Sequence, residues 1–463
     1  MRAETRAAPP EGDAQRAEVV ARAEDAGLRL VRFLYCDPDG LIRGKATGMA
    51  GLARRLEAGI GLTVAMQAMS MLDQLAGVEA MGPVGEIRLV GDPSTFLVVP
   101  YAPATGVVLV DMMTLDGAPY EADGRGFLRR MSGRARSLGL EIVAAFEPEW
   151  SLARRDGDDF VPVDESTCFS TVGMAAAADV IDAIVAALEA QGMAVEQYYP
   201  ELGWGQQELS IRSAPALRAA DNHILYRETV RAVSLRHGLH ASFAPKPWPD
   251  QAGNGCHVHL SAWDLGRTTN RFLDPAAGDG GLSVLGRQFV AGVLEHLPAL
   301  VALTCASVNS YRRLQPHTWA SAYRAWGPDN REAAVRVPSL LRGSENASAN
   351  IELKASDSSA NPYLALGGLI AAGLDGVERA LEPPPPVLDD PGSLSDEERA
   401  EMGAVRLPTS LGEALAHLKS DAVLTEALGS ALVGAYIAVK EADIEAFAGH
   451  DEAFEFSQHF SRY

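Results

Sequence analysis

Short apolar runs cut by turn signals fill the first quarter of the chain. From Leu28, the run LRLVRFLYCDPDGLIRGKATG places two apolar stretches around DPDG, which predicts a hairpin. MAGLARRLEAG then has helical spacing, and EIRLVGDPSTFLVVPYAPATGVVLVDMM offers several short strands broken by Asp-Pro, Pro and Gly. Further on, GFLRRMSGRARSLG and ADVIDAIVAALEAQG read as helices. They alternate with EIVAAFEPEW, QELSIRS, HVHLSAW and AAVRVP, which read as strands. FVAGVLEHLPALVALTCASV is interrupted by Glu295, His296 and Pro298, so it reads as a buried helix pair and not as a bilayer span. Asn361-Pro362 starts a core helix, EPPPPVLDDPGSLSDEE reads as an exposed loop or linker, and further helices close the chain. The expected class is α+β. Residues 1–24 are expected to be a flexible tail, 25–122 a small mixed domain and 123–463 a large domain dominated by one sheet.

Composition narrows the function. A chain of 463 residues with 47% hydrophobic and 6% aromatic residues fits a globular enzyme. A net charge of −21 argues against nonspecific binding to nucleic acid or to an anionic membrane. Cys36, Cys168, Cys256 and Cys305 are scattered, without metal-finger or disulfide spacing, which fits a reducing cytoplasm. The N-terminus has no apolar signal segment.

The candidate chemistry lies in the large domain. Glu147 and Glu149 in FEPEW, and His257 and His259 in GCHVHLS, are each two residues apart on predicted strands, so each pair shares a face. Glu201 and Glu208 in PELGWGQQELS and Glu352 in NIELK add carboxylates. Ionised acids are costly inside an apolar sheet unless cations compensate them. Hard oxygen ligands with one imidazole suit Mg²⁺ or Mn²⁺. The functional reading gives one cation to Glu149, Glu201 and Glu208, and a second to Glu147, His257 and Glu352. The competing reading of any one pair is a solvated strand face. Arginines in NSYRRLQP and DNREAAVRVP, among them Arg331 and Arg336, stand out in an acidic chain and suit phosphate or carboxylate. Five residues apart, Arg331 and Arg336 would face opposite sides of a regular strand. GLIRGK resembles a phosphate loop, but its spacing is short and Ala46 stands where a hydroxyl is needed, so it reads as a hairpin turn.

Taken in order, FEPEW, PELGWGQQE, NGCHVHLS, NSYRRLQP, DNREAAVRVP and NIELKASDSSANPYL resemble the signature segments of the glutamine synthetase superfamily, over essentially the whole chain from residue 25. The resemblance implies a β-grasp-like N-terminal domain and a catalytic domain built on a curved antiparallel sheet. It implies ATP as cosubstrate, two or three Mg²⁺ or Mn²⁺ ions, glutamate as substrate, and a homo-oligomer, commonly a dodecamer of stacked hexameric rings with shared active sites. By resemblance the two metal sets stand as above. Gly253 and Arg313 match glutamate contacts, Arg331 lies close to the transferring phosphate, and Glu196, His259, Ser261 and Arg336 match nucleotide or phosphate contacts.

The departures from the pattern bear on the acceptor. Trp319 replaces a glutamate that gates the ammonium pocket, and Thr63 aligns with an aspartate that deprotonates ammonium. Ammonium needs carboxylates to replace its water, whereas an indole suits an alkyl-bearing amine. Lys354 stands where many members carry arginine, Asn350 replaces a nucleotide-side arginine, and Val405 occupies the position of a tyrosine that some relatives modify. The expected activity is ATP-dependent ligation of an organic amine to the glutamate side chain. A glutamine synthetase using ammonia through other acids, and a noncatalytic nucleotide- or amine-binding relative, are the alternatives.

Overall fold

The computed structural model describes residues 11–157, 159–277 and 279–463. Two sheets organise it. The smaller has six strands: β1 (Leu30–Cys36), β2 (Ile42–Gly48), β3 (Ile60–Thr63), β4 (Glu86–Gly91), β5 (Leu97–Val98) and β6 (Thr105–Met113). Its order is β2-β1-β6-β4-β3, with β5 on β6, and β1 runs parallel to β6. Helices Glu11–Asp25 and Met49–Ala58 flank it, with Val19, Ala23, Leu52 and Leu56 in a core shared with Phe33, Leu89 and Val108. The polar N-terminus was expected to be a flexible tail through residue 24. Instead, residues from Glu11 onward are helical, because Val19 and Ala23 find an apolar surface that only the folded sheet provides. Residues 1–10 of that expected tail lie outside the described residues.

The larger sheet has eleven strands: β7 (Leu140–Asp156), β8 (Asp159–Pro162), β9 (Val195–Pro200), β10 (Gln206–Ile211), β11 (Ala214–Pro215), β12 (His240–Ser242), β13 (Cys256–Asp264), β14 (Tyr323–Pro328), β15 (Ala333–Val337), β16 (Ile351–Leu353) and β17 (Val405–Arg406). Its backbone order is β17-β14-β15-β16-β13-β7-β10-β9, antiparallel except for the β14–β15 pair. The fold is α+β, with this curved sheet flanked by helices. Along β7 the even-numbered residues Ile142, Ala144 and Phe146 enter the core, and Phe146 stacks on His223 of the helix Ala216–Arg236. The odd-numbered residues therefore take the opposite face.

The expected helix pair around Pro298 is a single helix, Val284–Thr304. Proline removes one backbone bond, but burial against the helix Pro362–Glu378 outweighs that loss. A Cβ on Gly292 would lie 2.2 Å from the Ala372 carbonyl oxygen, so glycine permits this close contact. The segment 382–398 is largely the exposed loop expected, without regular structure from 382 to 389, and it is tied to the large sheet. The Val387 N–H donates to the Trp326 carbonyl at 2.8 Å, and the Asn330 side chain donates to the Val387 and Asp389 carbonyls at 2.8 and 2.9 Å.

The DPDG hairpin turn ties the smaller sheet to the helices and loops packed around the larger one. At Gly40 (φ 75°) a Cβ would lie 2.3 Å from the Ser359 carbonyl oxygen. Arg227 and the Tyr463 hydroxyl donate to the Gly40 and Asp39 carbonyls at 3.0 and 2.9 Å, and Lys440 pairs with Asp39 in full burial. Among the described residues one unbroken helix, Thr171–Ala190, has the length and apolarity to cross a bilayer. Here its Val180, Ile181, Ile184 and Leu188 enter the core.

Candidate active site

Strand register brings the predicted acids together. Glu147 on β7 pairs with His257 on β13, and Glu149 pairs with Glu208 on β10. His259 on β13 pairs with Glu352 on β16, which pairs in turn with Arg336 on β15. Because side chains alternate along each strand, these pairings aim a band of charged heads at one face.

The band has two halves. In the first, His257 Nδ1 lies 3.2 Å from Glu352 Oε1 and 3.6 Å from Glu147 Oε2, and His259 Nε2 lies 3.3 Å from Glu147. Arg336 donates to Glu352 at 2.8 Å, while Lys354 Nζ is 3.7 Å from Glu352 and 3.4 Å from His257 Nε2. Burial acts to raise Glu352, but Lys354, the two histidines and Arg336 outweigh it and hold the carboxyl at about 2. Burial likewise opposes the lowering of Glu147, which the bonds from His257 and His259 impose. Glu147, His259 and Glu352 each present one ligand atom within 4.8 Å of the others, a geometry that fits a cation. The expected set held His257 in this place. The structure brings both histidines to it, His257 by Nδ1 and His259 by Nε2.

The second half lacks such compensation. Burial first, then Glu147 and Glu149, push Glu208 up to about 11, although the Tyr199 hydroxyl donates to it. Burial and Glu149 push Glu201 up to about 7, even though the Leu202 N–H donates to it at 3.0 Å. Glu149 accepts from the Gln206 side chain at 2.6 Å and from the Gly255 N–H at 2.9 Å. Among the described residues no Lys or Arg pairs with Glu149, Glu201 or Glu208. Crowded acids that must hold protons without a counter-charge are a donor set fitted to a divalent cation.

Other expected residues divide. Arg313 is buried beside the band, its NH2 3.4 Å from His257 Nε2 and its NH1 donating to the Ser356 carbonyl at 3.2 Å. Gly253 packs against it, since a Cβ there would lie 2.9 Å from Arg313 Cγ. Ser261 follows His259 on the same strand face and accepts from Trp263 at 2.9 Å. Glu196 is on β9, half exposed and paired with Arg212 at 2.8 Å. Arg331 is exposed and precedes β15, so the expectation that it and Arg336 oppose each other across a strand does not apply. Trp319 is 65% exposed in the loop before β14. Thr63 ends β3 on the smaller sheet and is exposed, so it is not on the sheet that carries the acids.

Sequence reasoning gave no role to Tyr199, Gln206, Gly255 or Glu332. All four lie within or beside the quoted motifs, Glu332 inside DNREAAVRVP directly after Arg331. What singles out Glu332 is its contact with Trp319, whose N–H donates to its Oε1 at 2.7 Å.

Residues 14–124 match the glutamine synthetase N-terminal domain, and residues 121–459 match the glutamine synthetase catalytic domain. The chain is 39% identical over 446 residues to gamma-glutamylpolyamine synthetase GlnA3 of Streptomyces coelicolor, covering 95% of each chain. It is 34% identical over 427 residues to a glutamine synthetase of Pyrococcus horikoshii, covering 92% of this chain and 91% of that one. Among solved structures it is similar to a glutamine synthase homolog (TM-score 0.83, 32% identity, 94% of this chain and 99% of that one). It is also similar to a GmaS–ADP complex (TM-score 0.82, 28% identity, 94% and 98%).

Proposed function

The chain belongs to the glutamine synthetase family, and from that premise we propose that it is an ATP-dependent ligase joining the side-chain carboxylate of glutamate to an organic amine. Family members use ATP and divalent metals, act on small molecules and commonly form oligomers. The observation that carries the reading is a retained band of acids together with Trp319, a position that offers indole where ammonia chemistry calls for a carboxylate. Similarity to a gamma-glutamylpolyamine synthetase and to GmaS supports the same branch.

In this mechanism Glu149, Glu201 and Glu208 hold one cation, and Glu147, Glu352 and His257 hold another. Mg²⁺ or Mn²⁺ bound there would neutralise charge on phosphate oxygens. Arg313 and Gly253 fix glutamate so that its side-chain carboxylate faces the phosphate, and Arg331 lends its guanidinium to the phosphate in transfer. Phosphorylation makes the carboxylate oxygen a leaving group; the unprotonated amine then attacks the acyl carbon and phosphate departs with the bonding pair. His259, Ser261, Arg336 and Glu196 line the nucleotide side, while Lys354, Trp319 and Thr63 serve the substrates. We place the boundary between the N-terminal domain, which takes in the helix Glu11–Asp25, and the catalytic domain at residues 122 and 123. In a dodecamer of stacked hexameric rings, a neighbouring N-terminal domain would bring Thr63 to the site.

The test supplies purified protein with ATP, Mg²⁺ or Mn²⁺, glutamate and a panel of ammonia, alkylamines, ethanolamine and polyamines, and follows phosphate release. Organic amines are expected to give the best turnover. Best turnover with ammonia would restore the plain glutamine synthetase reading, and none with any amine would favour a noncatalytic relative.

A further inference from the structure

Buried glutamates are rare unless something compensates them. Among the described residues the buried glutamates are Glu149, Glu208 and Glu352, which belong to the acidic band, and Glu332, 9% exposed. It stands in the turn into β15, directly after Arg331. Its Oε1 accepts the Trp319 N–H at 2.7 Å, and its own N–H donates to the Asn330 side chain at 3.0 Å. Among the described residues nothing donates to its Oε2, and no Lys, Arg or His reaches ion-pair distance.

Its surroundings link the acceptor loop to the reacting centre. The charged groups that act on it are Asp390 and His317, themselves paired at 2.7 Å, and Lys354, which also contacts Glu352 and His257. On the other side lies the loop holding His317, Trp319 and Ser321, three non-glycine residues with φ of 59°, 59° and 65°. That conformation costs L-residues energy, so the loop must be held by its contacts. The Glu332–Trp319 bond and the Ser321 hydroxyl, 3.0 Å from the Ala333 carbonyl, hold it against the start of β15.

We propose that Glu332 binds the distal, non-reacting ammonium group of a diamine or polyamine acceptor. The proposal rests on the amine-ligase reading above and names the substrate class. A nitrogen that attacks an acyl phosphate must first lose its proton, so it cannot be the lasting partner of a carboxylate that needs positive charge. The second nitrogen of a diamine keeps its proton throughout and meets that need. The exposed indole of Trp319, its backbone fixed by the same carboxylate, gives the methylene chain an apolar face and the ammonium a cation–π partner.

The experiment compares putrescine with n-butylamine, which has the same carbon chain without the second nitrogen. Wild-type kcat/KM is expected to favour putrescine. Glu332→Gln keeps an oxygen for the Trp319 N–H but loses the charge. It is expected to shrink the putrescine-to-butylamine ratio roughly 10–100-fold, mainly through KM for putrescine. Glu332→Asp should restore part of the ratio, and Glu332→Ala, which also frees the loop, should lower both amines. An unchanged ratio in Glu332→Gln would overturn the proposal and leave Glu332 a positioning residue for the loop. A wild-type enzyme that uses both amines equally would sink this inference alone, whereas one that uses neither would sink the ligase reading as well.

Discussion

Replacing Glu208 by Gln should stabilise the metal-free protein while cutting its response to metal to what the site at Glu147, His257 and Glu352 supplies. Burial and neighbouring acids push the folded-state value of Glu208 up to about 11 from the ordinary 4.5. A raised carboxyl destabilises the fold at every pH above the unfolded value, because the folded chain must hold a proton that the unfolded chain gives up. At pH 7, about 2.5 units above the unfolded value, the retained proton costs roughly 3 kcal/mol at about 1.4 kcal/mol per pH unit. Glutamine removes the cost and still offers an oxygen to the Tyr199 hydroxyl. A divalent cation does the opposite to the wild type: it displaces the proton and, at a hundred times its dissociation constant, adds about 2.7 kcal/mol. Thermal melts with and without Mg²⁺ or Mn²⁺ read both effects. The wild type should melt below Glu208→Gln without metal, gain on adding it, and gain more at pH 8 than at pH 6, since metal competes with the proton. A variant that loses metal-free stability, or one that gains from metal as the wild type does, would show that Glu208 is an ordinary buried acid.

Three further outcomes follow from other parts of the molecule. Lys440→Met strands the fully buried Asp39 at the hairpin turn and should cost about 3–5 kcal/mol in denaturant unfolding, with Asp39→Asn added to it recovering part. His296 sits between Asp375 at 3.0 Å and Asp421 at 2.7 Å; burial would lower it, but these bonds outweigh burial and raise it above 6.5. Its contribution is therefore complete below pH 6.5 and lost as pH climbs through the folded value, so His296→Gln should destabilise at low pH and converge on the wild type in alkaline melts. Gly255→Ala would put a Cβ 2.5 Å from Arg313 NH2 and 3.0 Å from both Glu149 and His257. The ends of those side chains can yield, so the fold should survive while kcat/KM falls on the order of a hundredfold.

The acidic band was legible because strand alternation is independent of the rest of the fold. Residues two apart share a face whatever the partner strand, so Glu147 with Glu149 and His257 with His259 could be paired on sight. What pattern could not supply was which strand lies beside which, and so that His259 as well as His257 reaches Glu352. The expectations at Pro298 and over the residues from Glu11 failed for one reason. In each, local preference favoured a break or a free chain, and contacts from distant residues won. Glu332 escaped notice on the same ground. It stands in DNREAAVRVP beside Arg331, but the contact that marks it, the Trp319 N–H that it accepts, lies thirteen residues away.

The two groups of uncompensated acids differ in what holds them, and that difference separates reaction from substrate. Glu149 and Glu208 face one another across β7 and β10, each of which is paired on both sides (β13 beyond β7, β9 beyond β10), so a shift would break the ladder on both sides. A position so fixed suits phosphoryl transfer, which every member of a ligase family must perform alike. Glu332 is held through one bond to a loop whose residues occupy costly backbone conformations. Loops tolerate substitution far better than central strands. A change of acceptor amine therefore asks for new side chains at Trp319 and Glu332 and none in the sheet. Grafting an acid at Trp319 and removing Glu332 should then move preference from diamines toward ammonia, with ATP and glutamate handling left intact. A double variant that loses glutamate-dependent phosphate release along with its diamine preference would show the two functions to be inseparable.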